Sequence, residues 1–175
     1  MPPTDNASYD KEIDRIIGAL KDKGGDEMAS ALLAEAQAAR KLVAYVPAPK
    51  LHRSDDALRA VEGRLAGTRS DHDCAKIGKA LWRDLDNHAA GGTDKDEALA
   101  EYETACAWLT GVETDTNAAY MASICLMLVT RIRTGCSEAE AQGAQIECLE
   151  GALKSSRQSR RLADEERSRV SLLAG

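Results

Sequence analysis

The chain reads as all-α, an array of antiparallel helix pairs with about seven to eight helices in all. Three observations predict this. Apolar residues recur at spacings of three and four, and cap residues bracket the runs. All four prolines (Pro2, Pro3, Pro47 and Pro49) fall before residue 50, so nothing after it breaks a helix. Apolar residues make up 43 % of the chain but aromatics only 3 %, with no Phe, so the core rests on Ala, Leu, Ile, Val, Met and Cys. Alanine is the best helix former and lets helices approach closely.

The elements follow in order. Residues 1–7 read as a disordered N-terminus, and 8–175 as a single helical-repeat domain with a candidate break at 46–53. A first helix is expected from Ser8, as N-cap, to Lys23, with Ile13, Ile16, Ile17 and Leu20 on one face. Gly24-Gly25 ends it. Asp26 caps a second helix to Tyr45, and Pro47 and Pro49 break it. A third runs from Ser54 to Ala66 and is closed by Gly67, with Leu58, Val61 and Leu65 inward. A fourth begins at Ser70-Asp71 and carries Ile77, Leu81, Trp82 and Leu85. A fifth spans Asp94 to Leu109, with Ala98, Leu99, Tyr102, Ala105 and Cys106 inward. The sixth, Asp115 to Thr134, holds the longest apolar run, Ala118 to Val129, and reads as buried on most sides. Ser137 caps a seventh helix reaching Leu153, with Glu140 three residues on as its capping-box partner. An eighth, Arg160 to Leu173, is amphipathic.

Composition narrows the function. The 175 residues carry a net charge of −6, which opposes general nucleic-acid binding. From Gly151 onward six basic residues meet three acidic ones, so this segment is net +3 and the remainder of the −6 total is −9. Interleaved Arg and Glu there read first as a solvated helix face. The longest apolar run is too short to cross a bilayer, and the first residues lack a signal-peptide pattern. Five cysteines without a C-x-x-C pair suggest neither a disulfide framework nor a zinc knuckle. Cys106, Cys125 and Cys148 fall among apolar helical positions, where Cys packs as a small hydrophobe. A cytoplasmic protein is the expectation.

Candidate chemistry is sparse. His72, Asp73, Cys74 and His88 form the best metal-ligating set, but residues two apart do not share a helix face, and convergence would need His52 as well. Cys74, beside Lys76 and His72, reads as a surface thiol at a helix start. No G-x-S-x-G occurs, and Gly24-Gly25 and Gly91-Gly92 lack the framework that cradles phosphate. The chain is therefore expected to be no enzyme and to need no cofactor or metal.

Two segments carry a resemblance. Ile77-Gly78-Lys79-Ala80-Leu81-Trp82-Arg83-Asp84, followed by Ala98-Leu99, Tyr102 and Ala105, resembles a tetratricopeptide repeat with a lengthened turn. Leu109-Thr110-Gly111, then Asp115-Thr116-Asn117-Ala118-Ala119-Tyr120-Met121-Ala122, is similar to the TRAFs-binding domain, a divergent tetratricopeptide-like regulatory region. The resemblance covers about residues 71–153 and implies a protein-interaction scaffold. It places Lys79 and Arg83 beside Asn117, Tyr120 and Arg131 as a partner-binding face. Lys79 and Arg83, four apart, share one helix face. Another protein or peptide segment, of acidic character, would suit them. The alternative is an Ala-rich bundle that homo-oligomerises through its apolar faces.

Overall fold

The computed structural model describes residues 6–87, 92–112 and 115–174, with side chains left out at 6, 116, 156–164 and 171–174. Among them there is no strand. The helices are α1 (Asn6–Lys23), α2 (Gly25–Leu42), a 3₁₀ turn (Ala48–Leu51), α3 (His52–Leu65), α4 (Asp71–Asp86), α5 (Asp94–Leu109), α6 (Thr116–Thr134) and α7 (Glu138–Ala174).

Side-chain caps set several of the boundaries. The hydroxyls of Ser70 and Thr93 accept from the backbone N–H of Asp73 and Asp96. Asp115 Oδ1 accepts from Asn117 N–H at 2.9 Å, and Ser137 Oγ accepts from Glu140 N–H at 3.2 Å. Each bond satisfies a donor that the first helical turn would otherwise leave open. Gly135 closes α6 in the left-handed region at φ 70°, where a side chain would be strained.

Some boundaries differ from the expected ones. Residues 1–5 lie outside the described residues, and Asn6 already opens α1, so Ser8 sits inside the first turn and is not the N-cap. The second helix stops at Leu42. There Tyr45 turns back: its ring lies between the Arg133 guanidinium (4.4 Å) and Lys95 Nζ (5.2 Å), and its hydroxyl donates to Lys95 O at 2.6 Å. Arg133 Nε also donates to Leu42 O, capping the last turn. The stretch after Pro47 forms the 3₁₀ turn, which feeds directly into α3 and buries Leu51 completely. The expected seventh and eighth helices are one continuous α7. Residues 154–159 (Lys-Ser-Ser-Arg-Gln-Ser) show no apolar periodicity, yet they hold no Gly or Pro to stop a helix.

Packing centres on α6. It lies against α5, α2, α7 and α1, and buries Ala118, Ala119, Ala122, Cys125, Leu126, Met127 and Val129. Burying a Leu or Met side chain contributes roughly 1.5–3 kcal/mol. The one polar residue inside this run, Ser123, is fully buried and accepts from Gln145 Nε2 of α7 at 3.0 Å, which satisfies both. α1 packs on α7, and α2 on α5, α6 and α7, so the beginning of the chain meets its later helices.

Candidate functional site

The most distinctive concavity lies where α4, the end of α5 and the first turn of α6 meet. It is a cleft of about 270 Å³. Both tryptophans of the chain line it. Trp82 of α4 and Trp108 of α5 pack edge to face, with ring centroids 5.0 Å apart and planes at 82°. Each is only partly buried. Such pairs contribute roughly 0.5–1.5 kcal/mol beyond the area they bury.

Gly78 makes this arrangement. An added Cβ would come 2.1 Å from Thr110 Oγ1 and 3.0 Å from Thr110 Cβ. Only a glycine lets α4 approach the end of α5 this closely. Thr110 Oγ1 donates to Ala107 O at 2.7 Å, which fixes its rotamer in the gap. Beneath the tryptophans, the Arg64 side chain is only 7 % exposed. Its Nη1 donates to Thr110 O at 3.1 Å and lies 3.5 Å from Cys74 Sγ. Arg64 thus ties the last turn of α3 to the carbonyl end of α5, where a cation is favoured. Its Nε is 3.9 Å from Asp71 Oδ1.

Lys79 lines the cleft and is exposed, and Arg83, also exposed, follows one turn along α4. Asp71 and Asp115, at the starts of α4 and α6, line the same cleft. The cleft is therefore bipolar, with the Lys79 ammonium on α4 and carboxylates at the helix starts; Arg83 lies beyond its lining.

Asn117 and Tyr120 do not line this cleft. They border a second, open one of about 640 Å³ between α1 and α6, with Asp10, Asp14 and Lys21. Burial, and then a hydrogen bond to Asp10, push the Tyr120 hydroxyl up to about 12. Arg131 stands apart from both, about 20 Å along α6 from Asn117 at the helical rise. The sequence-based face is thus divided: Lys79 lines one cleft, with Arg83 one turn further along α4, Asn117 and Tyr120 border its neighbour, and Arg131 lies near the far end of α6.

The cysteines require corrections. Cys74 is completely buried and is no surface thiol. Its local neighbours are polar, but the spacing 74–78–81 places it on the inward stripe of α4 with Gly78 and Leu81, all three buried. Cys148, expected among apolar positions, is exposed. Partial desolvation beside α2, and then the nearby Glu35 carboxyl, push its thiol up to about 11. Cys106 is fully buried, and burial takes its thiol up to about 12. Asp73 and His72 are exposed while Cys74 points inward, so these three cannot converge; His88 lies outside the described residues. Among the described residues no group of three or more His, Cys, Asp or Glu is placed to hold a metal ion, and no helix is long and apolar enough to cross a membrane.

Sequence reasoning missed Trp108, Arg64 and Thr110 as parts of the site. A buried arginine carries no local sequence signal. The two tryptophans offered one, because a chain so poor in aromatics keeps both of them in the 71–153 segment.

No protein-family model, curated protein or solved structure matches this chain.

Proposed function

We propose that this chain is a non-catalytic protein-interaction module that seats a segment of a partner protein in the cleft of Trp82 and Trp108. One observation carries the reading: both tryptophans are partly exposed, touch each other and line a single concave site. Tryptophan dominates binding energy where a partner excludes water from it. Lys79 and Arg83 extend the site along α4, and an acidic residue on the partner would meet them there. The buried Arg64 and the Gly78–Thr110 contact hold the walls in place before binding, which limits the ordering cost of association. The helical-repeat character belongs to this proposal, with α4–α5 and α6–α7 as its pairs. So does the regulatory role implied by the resemblance of residues 71–153 to the TRAFs-binding domain.

The test is a peptide array of acidic segments, each with one aromatic or aliphatic anchor, probed with the wild type and with Lys79→Glu/Arg83→Glu. Spots retained by the wild type and lost by the reversed protein support the reading. Equal retention by both, or none by either, contradicts it.

A further inference from the structure

α1 and α4 carry their charges in the same order. α1 has Asp10 and Asp14 in its first half and Lys21 and Lys23 in its last turn. α4 has Asp71 and Asp73 in its first turn and Lys79 and Arg83 in its second half. Asp10, Asp14, Lys21, Lys79 and Arg83 are all exposed, and among the described residues none of them has an ion-pair partner. Asp10 accepts a hydrogen bond from the Tyr120 hydroxyl of α6, which holds it in place.

Asp10 and Asp14 stand one turn apart, as do Lys79 and Arg83, and like charges at that spacing repel. Each helix therefore gains when opposite charge is brought alongside. α1 and α4 do not touch within the chain, so neither can serve the other there.

We propose that α1 of a second copy of this chain docks antiparallel on α4. The proposal rests on the partner-binding role of the α4 face and names its partner. Setting Asp14 level with Lys79 puts Asp10 level with Arg83, one turn away on both helices. The same register sets Gly18 against Ala75, both exposed, and residues this small let the helix axes come close. Lys21 falls level with His72, between Asp71 and Asp73. Lys76 falls level with Ile17, which is buried and brings no charge. A parallel alignment that kept the two carboxylate–cation pairs would carry Lys21 beyond Asp86, the last residue of α4. Ala75 and Lys79 also line the tryptophan cleft, so the docked α1 lies along its rim. The two faces differ, so the contact closes where two copies exchange them and otherwise runs head to tail. Its ion pairs are exposed and screened by salt, so the assembly is a low-salt species.

Sedimentation velocity of the full chain at about 50 mM and about 500 mM salt tests this. A mass above the monomer at the lower salt, lost at the higher, is expected. Asp10→Lys/Asp14→Lys and Lys79→Glu/Arg83→Glu should each weaken association by about tenfold or more, because two exposed pairs are lost and repulsion replaces them. Mixed together they should associate again, since the first keeps a native α4 and the second a native α1. All four reversals in one chain should restore self-association. Circular dichroism checks that each variant retains its helices. If one does not, Asp10→Asn/Asp14→Asn, which keeps an acceptor for Tyr120, or Lys79→Gln/Arg83→Gln replaces it and should weaken association in the same direction. The α1 variant keeps Lys79, Arg83 and both tryptophans, so it should still bind the peptides of the array; the two readings therefore fail separately. A wild type that stays monomeric at low salt overturns the proposal. So does association indifferent to salt, association weakened by only one of the two pairs of reversals, or a mixture that remains monomeric.

Discussion

Replacing Gly78 by Ala tests whether the close approach of α4 to α5 builds the tryptophan cleft. In most helix interiors the change stabilises by roughly 0.5–1 kcal/mol, because glycine loses more backbone freedom on folding. Here the new methyl would sit 2.1 Å from Thr110 Oγ1, well inside van der Waals contact. Either Thr110 leaves its rotamer and gives up its bond to Ala107 O, worth roughly 0.5–1.5 kcal/mol, or α4 shifts outward at an overpacking cost of roughly 1–3 kcal/mol. Set against the helix-propensity gain, the net effect is a loss of about 1 kcal/mol. Urea unfolding followed by far-ultraviolet circular dichroism reads it directly, and tryptophan emission reports the cleft in the same samples. Adding Thr110→Ala removes the Oγ1 overlap, so the double variant should lose less than the two single losses combined. A Gly78→Ala protein as stable as the wild type, with unchanged emission, would refute the reasoning.

Further predictions follow from the same packing. Gly18 and Gly151 lie in helix interiors with open space where a Cβ would go, so Ala at either should stabilise by roughly 0.5–1 kcal/mol in the same urea assay. Leu149→Ala, at a completely buried position of α7, should cost about 2–5 kcal/mol. Burial raises the Glu35 carboxyl, and likewise Glu101, above the ordinary 4.5. The native state then holds more protons than the unfolded chain as pH rises from that value, so stability falls across the window between the unfolded and folded values. Glu35→Gln/Glu101→Gln should flatten the fall in melting temperature there, and an unchanged slope would count against the burial of these carboxyls. In a thiol-labelling assay Cys148 and Cys136 should react in the folded protein, and Cys74, Cys106 and Cys125 only after unfolding. Glu35→Gln should speed the labelling of Cys148 by lowering its raised thiol.

Much of the fold was legible because its signals are local. Ser70, Thr93, Asp115 and Ser137 are cap residues followed by periodic apolar positions, and the structure starts helices after each of them. The unbroken α7 was harder. Residues 154–159, between the expected seventh and eighth helices, show no apolar periodicity, so the only mark of continuity there was the absence of a Gly or Pro breaker. Cys74 was misread because its neighbours in sequence are charged while its neighbours one helical turn on, Gly78 and Leu81, are buried. Lys79 and Arg83 were named through the resemblance, and their spacing puts them on one helix face. Trp108 and Arg64 could not be named, because their roles depend on α3 and α5 ending beside α4. That convergence is set by tertiary packing and by the missing side chain of Gly78.

The docking claim is met most directly by tryptophan emission of the wild type, titrated with a peptide retained on the array. Both tryptophans lie in the cleft, so a segment seated there excludes water from them. The account predicts a saturable blue shift, abolished in Lys79→Glu/Arg83→Glu. A peptide that binds with unchanged emission would place its site elsewhere and contradict the account.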